Sequence, residues 1–201
     1  MDDPGLTIQP MYTMGNERTN AVFFDNVFVH DDYRVGERGK GFQYIAEALD
    51  IERFTLFTFS PIRGRVELLC DFVRDTVRDG KPLKDDPVIR QRIAQLVTEC
   101  EVARLLGVRF VDAALNSSKT PTVEASEYKL YATELSRRVA DATMDIVGPG
   151  AQLALGTVDA PLKGRAESCY TYTVIDTIGG GSSEVQKNII AKRKMDLPKN
   201  F

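Results

Sequence analysis

Three stretches of this sequence repeat their apolar residues at steps of three and four, and that period leaves little choice but long helices packed against one another. The first runs Ile45, Leu49, Leu56, Phe59, Ile62, Val66, Leu69 and Val73, with Glu52 in step between Leu49 and Leu56. Pro61 falls inside it and removes one backbone hydrogen bond, so the expectation is one helix from about Gly41, kinked near its middle. The second opens at Asp86-Pro87, a side-chain cap followed by proline at the first helical position. It continues through Ile89, Ile93, Leu96, Cys100, Ala103, Phe110 and Ala114 to stop near Asn116-Ser117-Ser118. The third begins around Thr122, carries Ala125, Tyr128, Ala132, Leu135, Val139, Ala142 and Ile146, and is terminated by Gly148-Pro149-Gly150. Each helix has one apolar face to bury, which predicts an up-and-down bundle. A less regular helix is expected over Leu162 to Ile175. A last one follows Gly179-Gly180-Gly181, where Ser183 and Gln186 have the spacing of a capping box.

The first forty residues have a different texture. Leu6 to Met11 and Ala21 to Val29 are rich in β-formers and suggest two or three strands. Two strands cannot bury a face alone, so the segment must pack on the helices, on another chain, or on a part of the protein outside this sequence; the last is the preferred reading. The fold class is therefore mainly α, a helical bundle preceded by a short β remnant.

Charge and composition narrow the function classes. Twenty-six basic and 29 acidic residues are spread along the chain, with no basic stripe for nucleic acid and no polybasic run for a membrane surface. Cys70, Cys100 and Cys169 are odd in number and far apart, which predicts reduced thiols in a cytoplasmic protein. His30 is the only histidine, so neither a histidine-rich metal site nor a Ser/His/Asp triad is expected. The acidic start and the lack of any apolar run near about 18 residues speak against secretion and membrane insertion.

Two features carry potential chemistry. Glu52 occupies the apolar stripe of the first helix, which places a carboxylate toward the core or a cavity. It is then either a general base or acid or a structural ion pair at a helix contact, with Arg53 an obvious cation. Gly179-Gly180-Gly181-Ser182-Ser183 ahead of a helix offers backbone N–H groups to a phosphate or a cofactor edge, or is simply a turn. A helix C-cap accounts for Gly148-Pro149-Gly150.

Taken together, these segments resemble the acyl-CoA dehydrogenase family. The run Gly179-Gly180-Gly181-Ser182-Ser183-Glu184-Val185-Gln186-Lys187-Asn188-Ile189-Ile190-Ala191 is similar to that family's C-terminal signature. Pro4-Gly5-Leu6-Thr7-Ile8 and Glu17 to Val29 resemble the closing strands of its middle β-domain, and Leu49-Asp50-Ile51-Glu52-Arg53 the start of the long helix lining its active site. The resemblance covers essentially the whole chain. It implies an incomplete β-domain over residues 1–38 and a four-helix-bundle domain over 39–201, roughly half of a dehydrogenase.

The resemblance also assigns roles. Most members take their catalytic glutamate from the position that is Gly180 here, whereas a subset resembling the isovaleryl and long-chain enzymes places it on the long helix, at Glu52. Asp50 and Arg53 then become contacts for the CoA portion, and Gly180 frees volume beside the reacting carbons. An arginine that many members use on the FAD pyrophosphate of a neighbouring subunit aligns with Thr76. Arg74 and Arg78 flank it and substitute only with a shifted register. Gly148 and Gly150 match the turn approaching the adenosine half of FAD, and Gly181, Ser182, Ser183, Glu184 and Gln186 match the stretch beside the flavin.

The implied reaction is FAD-dependent α,β-dehydrogenation of an acyl-CoA, with electrons leaving to an electron-transfer flavoprotein and the chain working in a homo- or hetero-oligomer, a dimer or tetramer. A branched or bulky acyl group is favoured, such as a steroid side chain. The competing readings are a non-catalytic assembly subunit and a flavin monooxygenase or oxidase on the same scaffold.

Overall fold

The apolar stepping does produce helices, with one redistribution near Pro61. The computed structural model describes residues 2–15, 17–56 and 58–198, and the chain divides into two units, residues 1–46 and 47–201.

In the first unit, β1 (Leu6–Tyr12) pairs antiparallel with β2 (Arg18–Phe24), in a register running from Leu6 opposite Phe24 to Tyr12 opposite Arg18. Val27-Phe28-Val29 lies outside β2 and forms no third strand. The ribbon buries neither face. Phe24 is 72% exposed and Phe28 after it 80%, as expected of two strands without a covering layer.

Where one kinked helix was expected, two helices form. The first, α1 (Gly41–Leu56), stops short, and α2 (Phe59–Asp75) starts afresh. Pro61 is the third residue of α2, in the first turn, where no intrahelical partner exists for its missing N–H. The N-terminal N–H of Phe59 is instead satisfied from outside, donating to the Tyr128 hydroxyl at 2.8 Å. The apolar stripe of α1 is exposed rather than core-facing, with Ile45 at 53% and Ile51 at 56%. Periodicity identified the face but not what would cover it.

The remaining helices follow their caps. In α3 (Pro87–Asn116), Asp86 accepts from the N–H groups of Val88 and Ile89 at 2.8 and 3.1 Å. A two-residue turn, Asp79 and Gly80, both with positive φ, joins the short strands β3 (Val77–Arg78) and β4 (Lys81–Pro82) ahead of it. The hub of the second unit is α4 (Thr122–Val147), which contacts α2, α3, α5 (Arg165–Asp176) and α6 (Ser183–Arg193). Its stripe of Ala125, Tyr128, Ala132, Leu135, Val139, Ala142 and Ile146 packs with Ile62, Val66, Leu69 and Val73 of α2 and Leu96, Cys100 and Ala103 of α3. A helix surrounded on several sides must bury more than one stripe. Here the second is polar: Ser126, Lys129, Thr133 and Ser136 are all buried. The cysteines are unpaired. Among the described residues no helix is long and apolar enough to cross a membrane.

Candidate active site

The connection from α5 to α6 is short and built on glycine. Gly180 and Gly181 have φ of 65° and 95°, a region in which side chains are strained. A Cβ on Gly181 would also lie 2.6 Å from Gln186 Nε2. The cap of α6 is Ser182, one residue before the serine expected, and its hydroxyl accepts from the Val185 N–H at 3.4 Å. Ser183 is drawn away by α4, donating to Glu134 Oε1 at 2.7 Å. Gln186 is fully buried and reaches back not to a cap N–H but to the carbonyls of Gly180 and Gly181, at 3.2 and 3.1 Å. Glu184 is exposed, and its own backbone N–H with the Ser182 hydroxyl holds its carboxyl below the usual range.

The carbonyl side of this turn is tied down from three directions. Besides Gln186, Arg53 of α1 donates from Nε to the Gly180 carbonyl at 3.3 Å, and Lys129 of α4 donates to the carbonyls of Gly181 and Asp176 at 2.8 and 3.1 Å. Its donor side is open: among the described residues, the N–H groups of Gly180, Gly181 and Ser182 donate to nothing. Consecutive free N–H groups around positive-φ residues form a concavity suited to an electron-rich acceptor. Gln186 Oε1 is likewise buried without a donor.

Beneath the turn lies a polar network. Arg65 Nη1 donates to Ser136 Oγ, and Ser136 donates to Asp176 Oδ2, each at 2.8 Å. Burial pushes the Asp176 carboxyl up, opposed by the Ser136 hydroxyl, Arg65 and Lys129, and burial pushes the Lys129 ammonium down. Sequence reasoning missed both residues. The signal was present, because Ser126, Lys129, Thr133 and Ser136 step by three and four along α4 exactly as a second inward stripe does.

Of the sequence-derived candidates, Arg53, Gly180, Gly181, Ser182, Ser183, Glu184 and Gln186 therefore gather at one turn. Glu52 adjoins Arg53 but is exposed in this chain, so it does not face the core. The side chain of Asp50 lies outside the described residues. A second group sits at the far end of α4, roughly 25 Å from Lys129 at 1.5 Å per residue. There Arg78 Nη2 donates to the Ile146 and Val147 carbonyls at 2.7 and 3.1 Å, and is thereby committed to the C-terminus of α4 beside Gly148. A Cβ on Gly150 would meet Pro161 at 2.9 Å. Arg74 pairs with exposed Asp71 at 2.6 Å and joins neither group.

Residues 39–195 match the family model described as "Acyl-CoA dehydrogenase, C-terminal domain". The chain is 28% identical over 199 residues to acyl-CoA dehydrogenase FadE26 of Mycobacterium tuberculosis, covering 97% of this chain and 50% of that protein. The crystal structure of the ChsE4-ChsE5 complex from Mycobacterium tuberculosis superposes with a TM-score of 0.88 at 28% identity, over 98% of this chain and 50% of that one. A structure named Tcur3481-Tcur3483 steroid ACAD does so with 0.87 at 25% identity, over 99% and 50%. The chain spans about half the length of the curated relatives it matches.

Proposed function

The chain belongs to the acyl-CoA dehydrogenase family, whose C-terminal domain it carries, and on that premise we propose that it is the helical part of an FAD-dependent enzyme that converts an acyl-CoA to the enoyl-CoA, with Glu52 as the base. The observation that supports this most is the hydrogen bond from Arg53 to Gly180. It ties the segment bearing Glu52 to a turn with three unused backbone donors.

The family's proteins are FAD-binding flavoproteins, and the residues here fit that group. The open N–H groups of Gly180, Gly181 and Ser182 match the need of a flavin edge for hydrogen-bond donors, and buried Gln186 Oε1 leaves an acceptor in the same place. Ser182, Ser183, Glu184 and Gln186 would line the flavin. Gly148 and Gly150 would approach the adenosine half. Their distance from the turn along α4 agrees with the two halves of the cofactor being served by different subunits. When bound, FAD supplies the acceptor for the substrate's β-hydride.

This chain's own residues do the rest. Glu52 takes the α-proton, which is acidic enough only when the thioester carbonyl is held by donors that tighten as negative charge develops. Gly180 stands where other family members have a glutamate, so the reacting carbons have room and no second carboxylate competes. By the family resemblance, Arg53 and Asp50 are the candidates for contacting the CoA portion. A carboxylate is a strong base only when dry, and Glu52 is exposed in this chain. The cover over α1 therefore comes from the rest of the assembly, for which the exposed stripe of Ile45, Leu49 and Ile51 is the docking face. Pairing with a different chain and electron transfer to an electron-transfer flavoprotein complete the reading. The ChsE4-ChsE5 complex and the steroid ACAD support a heteromer acting on a bulky acyl group.

The test is anaerobic titration of the native assembly containing this chain with acyl-CoAs running from short straight to branched and steroid-like. Loss of oxidised-flavin absorbance with the bulky thioesters is expected. Bleaching by short straight chains alone would remove the substrate preference. An FAD-loaded protein that no thioester bleaches would leave an assembly subunit or an oxygen-using flavoenzyme instead.

A further inference from the structure

Lys129 has no exposed surface, an unusual state for a lysine. Its ammonium donates to two carbonyls that bracket the α5–α6 connection: Asp176 is the last residue of α5, and Gly181 immediately precedes the cap of α6. Burial holds the amine below the ordinary lysine range, with Asp176 and Glu134 pulling the other way. A methionine would fill the same volume without a dehydrated charge, so packing does not explain a lysine here.

Peptide geometry shows what the charge does. A trans peptide directs its C=O and N–H to opposite sides, and there are no cis bonds among the described residues. With the Gly181 carbonyl held toward α4 by Lys129, the Ser182 N–H must point away from it. With the Gly180 carbonyl held by Arg53 and Gln186, the Gly181 N–H points away from them in turn.

We propose that Lys129 is a positioning residue: by clamping the carbonyls of Asp176 and Gly181, it aims the free N–H groups of the glycine turn at the cofactor. The proposal rests on the reading that this turn meets FAD, and its test separates the two. Lys129→Met and Lys129→Gln are made in the native assembly, and three things are measured: amide hydrogen exchange over residues 177–186, FAD affinity, and the absorbance spectrum and reduction potential of the bound flavin.

In Lys129→Met, exchange across the turn should quicken roughly tenfold while α3 is unaffected, with FAD affinity falling by a similar factor. The flavin potential should move negative as a nearby positive charge is lost. Lys129→Gln keeps a donor without the charge and should fall between; it carries the test if the methionine variant does not fold. Unchanged exchange in a folded variant overturns the clamp. Faster exchange with FAD affinity, spectrum and potential all unchanged overturns the link to the cofactor. Wild-type protein that holds no FAD refutes both that link and the functional reading, while the exchange data still judge the clamp.

Discussion

Arg78 offers a sharp separation between holding the fold and holding a ligand. Its guanidinium donates to the last two carbonyls of α4, Ile146 and Val147, at 2.7 and 3.1 Å. The helix ends there at Gly148, whose φ is 82°. Helix C-termini carry unsatisfied carbonyls and a partial negative charge, so a cation there acts twice, by hydrogen bond and by field. A hydrogen bond from a charged donor contributes about 1.5–3 kcal/mol, and the residue's exposure argues for the lower end. Arg78→Met keeps the stem, removes the donors, and should destabilise by about 1.5 kcal/mol, a fall in Tm of about 3–6 °C for a chain of this size. Thermal unfolding followed by circular dichroism, without added FAD, reads this directly. Arg74→Met is the control, because its exposed pair with Asp71 contributes about 0.5 kcal/mol or less. Equal shifts in the two variants would refute the capping argument. An unchanged Tm with weakened FAD binding would return Arg78 to the cofactor.

Leu135 on α4 is completely buried in the cluster that α4 shares with α2 and α3, and Leu135→Ala should lower stability by about 3 kcal/mol in a urea titration; a loss under about 1 kcal/mol would mean this site is not the packed centre. The Asp176 carboxyl gives a pH signature. Burial raises its folded-state pKa above the unfolded value, so the folded state holds more protons than the unfolded one between about 3.9 and that raised value. The stability that protonated Asp176 contributes is thus present at low pH and lost as pH rises through the window. The wild type should lose stability relative to Asp176→Asn as pH is raised across it, and a difference that stays flat would show that the carboxyl is not dehydrated.

Where the sequence was readable, local chemistry and the apolar period agreed. Asp86-Pro87 opens α3 and Gly148 closes α4 because a side-chain oxygen or a residue tolerating positive φ is needed at those positions. Pro61 was misread for a physical reason: the stripe stays in step from Leu56 through Phe59 to Ile62, so a break that preserves phase is invisible to periodicity. The β3–β4 hairpin was not anticipated, although Asp79-Gly80 is a turn pair by its own signature. At the site, the glycine turn and its serines were legible from their residue types, but which serine caps α6 depended on Glu134, some fifty residues away. Lys129 stayed hidden because lysine is ordinarily a surface residue. Only its step with Ser126 and Thr133 marked it. Glu52 keeps step with Leu49 as the period requires, yet it is exposed in this chain, because a stripe within α1 does not encode whether anything packs on it.

Removal of the α-proton by Glu52 is the proposed step on which the chemistry turns. Its most direct test is the rate of anaerobic flavin reduction by the best acyl-CoA in the native assembly, comparing wild type with Glu52→Gln by stopped flow at matched FAD content. With Glu52 as the base, the rate should be roughly 10²–10⁴-fold lower in the variant, with FAD still bound. A variant that reduces its flavin as fast as wild type would contradict it and move the base to another residue.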